Sequence, residues 1–230
     1  SSGFLPGGTT DWDGWGGLMR SRYPEAPIYR VRWGAKELAA IGSLVGFGVA
    51  KEGFKKILLK QALSASTKAA SKLGPLSGAF NAAGLASNPW SVAHARAGMT
   101  GAVLADLIKR TNDNFVLVGH SLGARVAVTA AQALGTNAVG EPRLQSIHLL
   151  GAAVDDAGDW QSLNHAVTDT VWNYWSRNDQ VLGRVYRAAR VGGVAVGHSG
   201  FNSSFARIRD RDVSKQVASH VSYVANIKLR

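Results

Sequence analysis

The pentapeptide Gly119-His120-Ser121-Leu122-Gly123 constrains this chain more than any other feature. It follows Phe115-Val116-Leu117-Val118, a short apolar run of the kind that forms a strand buried on both faces of a sheet. It precedes the strongly helical stretch Ala124 to Leu134, which closes at Gly135. A Gly-x-Ser-x-Gly placed between strand and helix predicts a sharp turn that holds the serine in strained backbone angles. Glycines at 119 and 123 relieve the crowding and let Ser121 project at the carboxyl edge of the sheet. The helix beginning near Leu122 then points its first amides at a centre where negative charge can develop.

The rest of the chain supplies the sheet such a turn requires. Ile28 to Trp33 alternates and is β-rich, between Pro27 and Gly34. Asn88-Pro89-Trp90-Ser91 signals a helix start, with Ser91 as N-cap and the helix running to about Arg110. Leu144 to Leu150 and Val171 to Trp175 read as strands, Phe205 to Arg209 as a short edge strand, and Ser214 to Ile227 as a closing helix. Strands separated by helices predict an α/β fold, a mostly parallel sheet with helices on both faces. The length of 230 residues fits a single domain over 1–230. Ala35 to Ser87 is too long for an ordinary connection and reads as an insertion, a helical cap or lid.

Composition narrows the function. Hydrophobic residues make up 46% and charged residues 18%, enough for a core and unlike a disordered chain. The absence of cysteine excludes disulfides, thiolate metal sites and cysteine nucleophiles. No His/Asp/Glu cluster has ligand spacing, so neither a metal nor an organic cofactor is expected. Lys and Arg number 26 against 15 Asp and Glu, a net charge of +11 that attracts anionic partners. Nucleic acid is not the expected one, because no reader motif is present and the aromatics do not interleave with a basic stripe. No stretch approaches the roughly 18 apolar residues of a membrane span. Leu38 to Ala50 is too short and runs into Lys51 and Glu52. Ser1 to Gly8 has neither a basic start nor an apolar signal core, and Phe4 and Leu5 begin abruptly. The expectation is a soluble fragment or processed form of a longer protein, secreted or membrane-associated.

A serine hydroxyl becomes a nucleophile when a base takes its proton. Around a turn of this kind the chain order is serine, acid, histidine. Of the six histidines, His94 precedes Ser121, and His120 belongs to the turn itself. His148 lies inside a predicted strand as a satisfied core residue, and His165 comes too early. Asp179, beyond Trp175 in Ser176-Arg177-Asn178-Asp179-Gln180-Val181-Leu182, is the favoured acid. Its rivals are Asp155 and Asp156, whose ordinary roles are a solvated turn or a helix cap. For the base, His220 near the last helix and His198 in the loop Val196-Gly197-His198-Ser199-Gly200 both stay open, His198 also as a substrate contact. The oxyanion donors expected are the amide of Leu122 and, from Gly3-Phe4-Leu5-Pro6-Gly7-Gly8, the amide of Phe4, with Leu5 as neighbour.

Together these residues resemble the α/β-hydrolase fold. More narrowly they resemble an uncharacterised hydrolase-like family that includes eukaryotic transmembrane and coiled-coil domain proteins and bacterial relatives. The similar segments are Gly3-Phe4-Leu5, Arg32 to Leu38, Asn88 to Ala93, Gly119 to Gly123, Ser176 to Leu182 and Ser219 to Tyr223, in order along nearly the whole chain. The resemblance implies Ser121 as nucleophile, Asp179 as acid and His220 as base.

This reading implies a serine hydrolase acting on carboxylic esters, since relatives by fold are mostly esterases and lipases. In residues 35–87, Leu38, Ile41, Val45, Phe54, Ile57, Leu58 and Leu63 are interspersed with Lys51, Lys55, Lys56, Lys60, Lys68 and Lys72. That pattern suits a cap over the site or a helix on an anionic membrane surface. The expected substrate is therefore a lipid, as for a lipase or phospholipase. A secreted toxin-type lipase is one setting this admits, and the sequence names no immunity or accessory partner. The alternative is an inert binding module or membrane-associated scaffold that keeps the turn without the chemistry.

Overall fold

The computed structural model describes residues 12–33, 89–136, 144–187, 190, 193–201 and 204–230. Within them, β1 (Phe115–His120), β2 (Leu144–Leu150), β3 (Val171–Trp175) and β4 (Ile208–Asp212) pair in parallel, in the order β1-β2-β3-β4. The helices are α1 (Trp12–Arg20), α2 (Pro89–Lys109), α3 (Leu122–Thr136), α4 (Trp160–His165), α5 (Val196–Ser199) and α6 (Tyr223–Asn226). A π-helical segment, Val181–Tyr186, follows β3. The architecture is α/β, as its alternating pattern predicts.

Residues one apart on a strand face opposite sides of the sheet, and the core divides accordingly. Leu117, Ile147, Val171 and Ile208 are in register across the four strands. They join a core formed with Ala105 and Ile108 of α2, Ala124, Ala127, Val128 and Ala131 of α3, and Leu163 of α4. The next row includes Val118, His148 and Trp172. On that side Leu150 and Tyr174 are covered by Leu18 of α1 and by Val213, Val217, Tyr223, Ile227 and Leu229. Cover on both faces leaves six of the seven β2 residues buried, Gln145 alone being exposed.

Ser146 and His148 are the buried polar residues of β2, and His148 is satisfied. Its Nε2 lies 2.8 Å from the Tyr23 hydroxyl and its Nδ1 3.1 Å from that of Tyr174. Burial, and then the charge of Arg22, hold the imidazole down at about 4, so it stays neutral in the core.

Several elements depart from expectation. Residues 28–33 form no strand, and the β1 residues 115–118 are half-buried rather than enclosed on both faces. Helix α2 starts at Pro89, a residue pre-shaped for a first helical turn, so Ser91 is inside the helix and not its cap. The last strand is displaced to Ile208–Asp212, and the closing helix shrinks to Tyr223–Asn226 behind a run of turns. Asp159, not Asp156, caps α4, accepting from Ser162 N at 3.2 Å. Residues 35–87 lie outside the described residues.

Candidate active site

The site is built on the turn between β1 and α3. Ser121 has φ +57°, the only positive value at a non-glycine residue among those described. Its amide donates to Leu150 O at 3.0 Å, and its carbonyl accepts from Ala124 N at 3.1 Å and Ala153 N at 3.2 Å. The end of β2 and the start of α3 therefore hold Ser121 in a conformation it would not choose alone. Gly119 makes the turn possible: a Cβ there would sit 2.4 Å from the carbonyl oxygen of Gly123.

From this turn a chain of hydrogen bonds runs inward. The Ser121 hydroxyl donates to Nε2 of His220 at 2.9 Å, and Nδ1 of His220 donates to Oδ2 of Asp179 at 2.7 Å. Residues 99 and 41 positions apart in sequence thus meet. All three are buried, with 1% of Ser121, 2% of His220 and none of Asp179 exposed. The other Asp179 oxygen, Oδ1, accepts from Leu182 N at 3.1 Å, where the π-helical segment begins. Tyr223 shares its hydroxyl proton between Asp179 Oδ2 and Gly197 O, each at 3.3 Å. Burial pushes the Asp179 carboxyl up, but the charge of His220, its hydrogen bond and the Leu182 amide outweigh it. The net displacement is downward, so the carboxylate stays ionised.

The acid loop and the segment bearing His220 are stitched together. Ser176 Oγ donates to Val217 O at 2.8 Å and accepts from Asn178 N at 3.2 Å. The Asn178 side-chain amide donates to Ser214 O at 2.8 Å. His120, the last residue of β1, donates from Nε2 to the backbone carbonyl of His220 at 2.7 Å.

The rivals for these positions have other partners. Arg190 donates from Nε to Asp155 Oδ2 at 3.0 Å and pairs with it through a second nitrogen. The carbonyl of Asp156 accepts from the Trp160 indole at 2.8 Å. His198 sits in α5 against Gly183 and makes no hydrogen bond to Ser121 or Asp179 among the described residues. Leu122 is the first residue of α3, where helix amides lack a carbonyl partner within the helix. Phe4 and Leu5 lie outside the described residues.

Sequence reasoning did not find Tyr223, the Leu182 amide or the hydrogen bond from His120. Tyr223 follows His220 closely, but no spacing rule marks its hydroxyl for a carboxylate 44 residues upstream. Among the described residues, no group of three or more His, Cys, Asp and Glu side chains could hold a metal ion. A cavity of about 510 Å³ lies beside α3 and α4, lined by Arg125, Thr129, Asp155 and Trp160 among others. None of Ser121, Asp179 and His220 lines it, so it is separate from this site.

Fold and site together define a parallel α/β protein with a buried serine–histidine–aspartate hydrogen-bond chain at a strand-to-helix turn. The chain belongs to the family described as Protein of unknown function (DUF726), whose model matches residues 14–229. It is 26% identical over 227 residues to Transmembrane and coiled-coil domain-containing protein STS1 of Oryza sativa subsp. japonica. That match covers 93% of this chain and 32% of the rice protein. It is 28% identical over 203 residues to an uncharacterized membrane protein of Schizosaccharomyces pombe, covering 85% of this chain and 26% of that protein. The chain thus spans about a third and about a quarter of these relatives. Both are named as membrane proteins, while no described helix here is long and apolar enough to cross a membrane. No solved structure gives a significant match.

Proposed function

We propose that this chain is a serine hydrolase of the α/β-hydrolase fold that cleaves carboxylic esters through Ser121, His220 and Asp179. The observation that carries the reading is the continuous Ser121–His220–Asp179 hydrogen-bond chain, 2.9 and 2.7 Å, at a turn where Ser121 has φ +57°. In the reaction, Ser121 Oγ attacks the ester carbonyl while its proton passes to Nε2 of His220. The imidazolium is stabilised by the Asp179 carboxylate. The carbonyl oxygen gains the negative charge, which the Leu122 amide and the amino end of α3 offset. His220 then returns the proton to the departing alkoxide, leaving an acyl-Ser121. Water, deprotonated by the same nitrogen, releases the acid and restores the hydroxyl.

Lipid esters are the proposed substrates, as for a lipase or phospholipase. The net charge of +11 would draw the protein to anionic membrane surfaces, and the relatives are named as membrane proteins. One observation favours a second reading, an inert binding module: only 1% of Ser121 is exposed, so a substrate needs an opening above it. A fluorophosphonate probe separates the two. Labelling of the wild type that Ser121→Ala abolishes is the expected result, and an unlabelled wild type supports the inert module. Hydrolysis should also rise on anionic vesicles relative to neutral ones, and equal rates on both would remove the membrane-surface part of the proposal.

A further inference from the structure

His220 is carried on irregular backbone. Residues 213–222, between β4 and α6, form turns, with short-range bonds such as Ser222 N to Ser219 O at 3.1 Å. A ring on such a segment is only as well placed as the contacts that pin its backbone. The carbonyl of His220 itself is held by Nε2 of His120 at 2.7 Å. His120 is well suited to the task, since it ends β1 directly before Ser121 and stands in register with Leu150. Its ring lies 4.7 Å from the His220 ring and 5.6 Å from that of Tyr223. A carbonyl only accepts, so Nε2 must carry the proton. Burial, and then the nearby His220, hold the His120 imidazole down at about 3, and it remains neutral. The ring is thus a fixed donor and brings no second charge beside the base.

We propose that His120 is a positioning residue: its Nε2–H tether to the His220 carbonyl sets the approach of the His220 ring to the Ser121 hydroxyl. One strand end then aligns nucleophile and base together. This inference rests on the hydrolase reading and adds to it a residue that touches neither substrate nor the transferred proton.

Two variants and one direct measurement test it. His120→Leu removes the donor at similar bulk, and His120→Gln keeps an N–H at comparable reach. In His120→Leu, kcat on a nitrophenyl ester should fall about ten- to a hundredfold, the scale set by sub-ångström misalignment, with KM nearly unchanged. Fluorophosphonate labelling should slow in parallel, and His120→Gln should recover most of both. A His120→Leu enzyme with wild-type kcat, or a folded His120→Gln as slow as His120→Leu, overturns the tether. Nitrogen-15 NMR of the histidine-labelled wild type reads the ring without substitution. A slowly exchanging proton on Nε2 of His120 supports the proposal, and a proton on Nδ1 overturns it even where variants fail to fold. A wild type that the probe labels no faster than Ser121→Ala brings down the hydrolase reading, and the positioning role with it, whatever the ring nitrogens show.

Discussion

Ser121 answers two demands that pull apart: its hydroxyl must reach His220, and its backbone must hold φ +57°. Left-handed backbone costs an L-residue about 1 kcal/mol or more and costs glycine almost nothing. Ser121→Gly should therefore melt above Ser121→Ala by about 1 kcal/mol of stability, although both lack the hydroxyl. Calorimetry of the pair checks this, and equal melting would mean the turn carries no strain. Tyr223→Phe removes a donor from a buried carboxylate and should lower unfolding free energy by about 1–3 kcal/mol, measured in urea. At this scale the turn motif singles out Ser121 and chain order favours Asp179, whereas position alone leaves His198 beside His220 and only the resemblance chooses between them. Tyr223 and Leu182 were not legible, because backbone amides and phenols aimed at a carboxylate leave no mark in residue type or spacing.

Among elements, β1 and α3 cross at close range. Gly119→Ala would drive a methyl into the Gly123 carbonyl, and overpacking of this kind costs about 1–3 kcal/mol. The expected outcome is a lowered urea midpoint together with slower probe labelling, since the same shift moves Ser121. Strands 144–150 and 171–175 appear where the apolar pattern puts them, because both are enclosed and periodicity reports enclosure. Residues 28–33 alternate equally well yet form no ladder in the structure described. Alternation describes a strand's two faces and says nothing of whether a neighbour exists to pair with it. The expected helix over 214–227 failed for a local reason. Ser222 Oγ donates to Ser219 O and accepts from Ser219 N, closing a turn, and Ser214 Oγ bonds back to Asp212.

Across the whole molecule, buried neutral histidines make stability depend on pH. His120 is held at about 3 and His148 at about 4, both below the unfolded value of about 6.5. Above that value both states are neutral there, and these groups cost nothing. As pH falls below it, the unfolded chain gains protons that the native state refuses, so stability declines until the native rings charge near pH 4 to 3. Between pH 7 and 5 the two should together remove about 3–4 kcal/mol, His94, held at about 4, adds a loss of the same sign, and urea unfolding at the two pH values measures the sum. Asp179 adds a loss of the same sign lower down, since its depressed carboxyl favours the fold only while ionised. The back of the sheet adds a constraint of timing. Leu150 and Tyr174 are covered by Val213, Val217, Tyr223, Ile227 and Leu229, the same stretch that delivers His220. During synthesis a ribosome would have exposed β1, Ser121 and the acid loop well before that stretch emerges. The Ser121–His220–Asp179 hydrogen-bond chain is thus completed in the same event that seals the sheet's unfinished side.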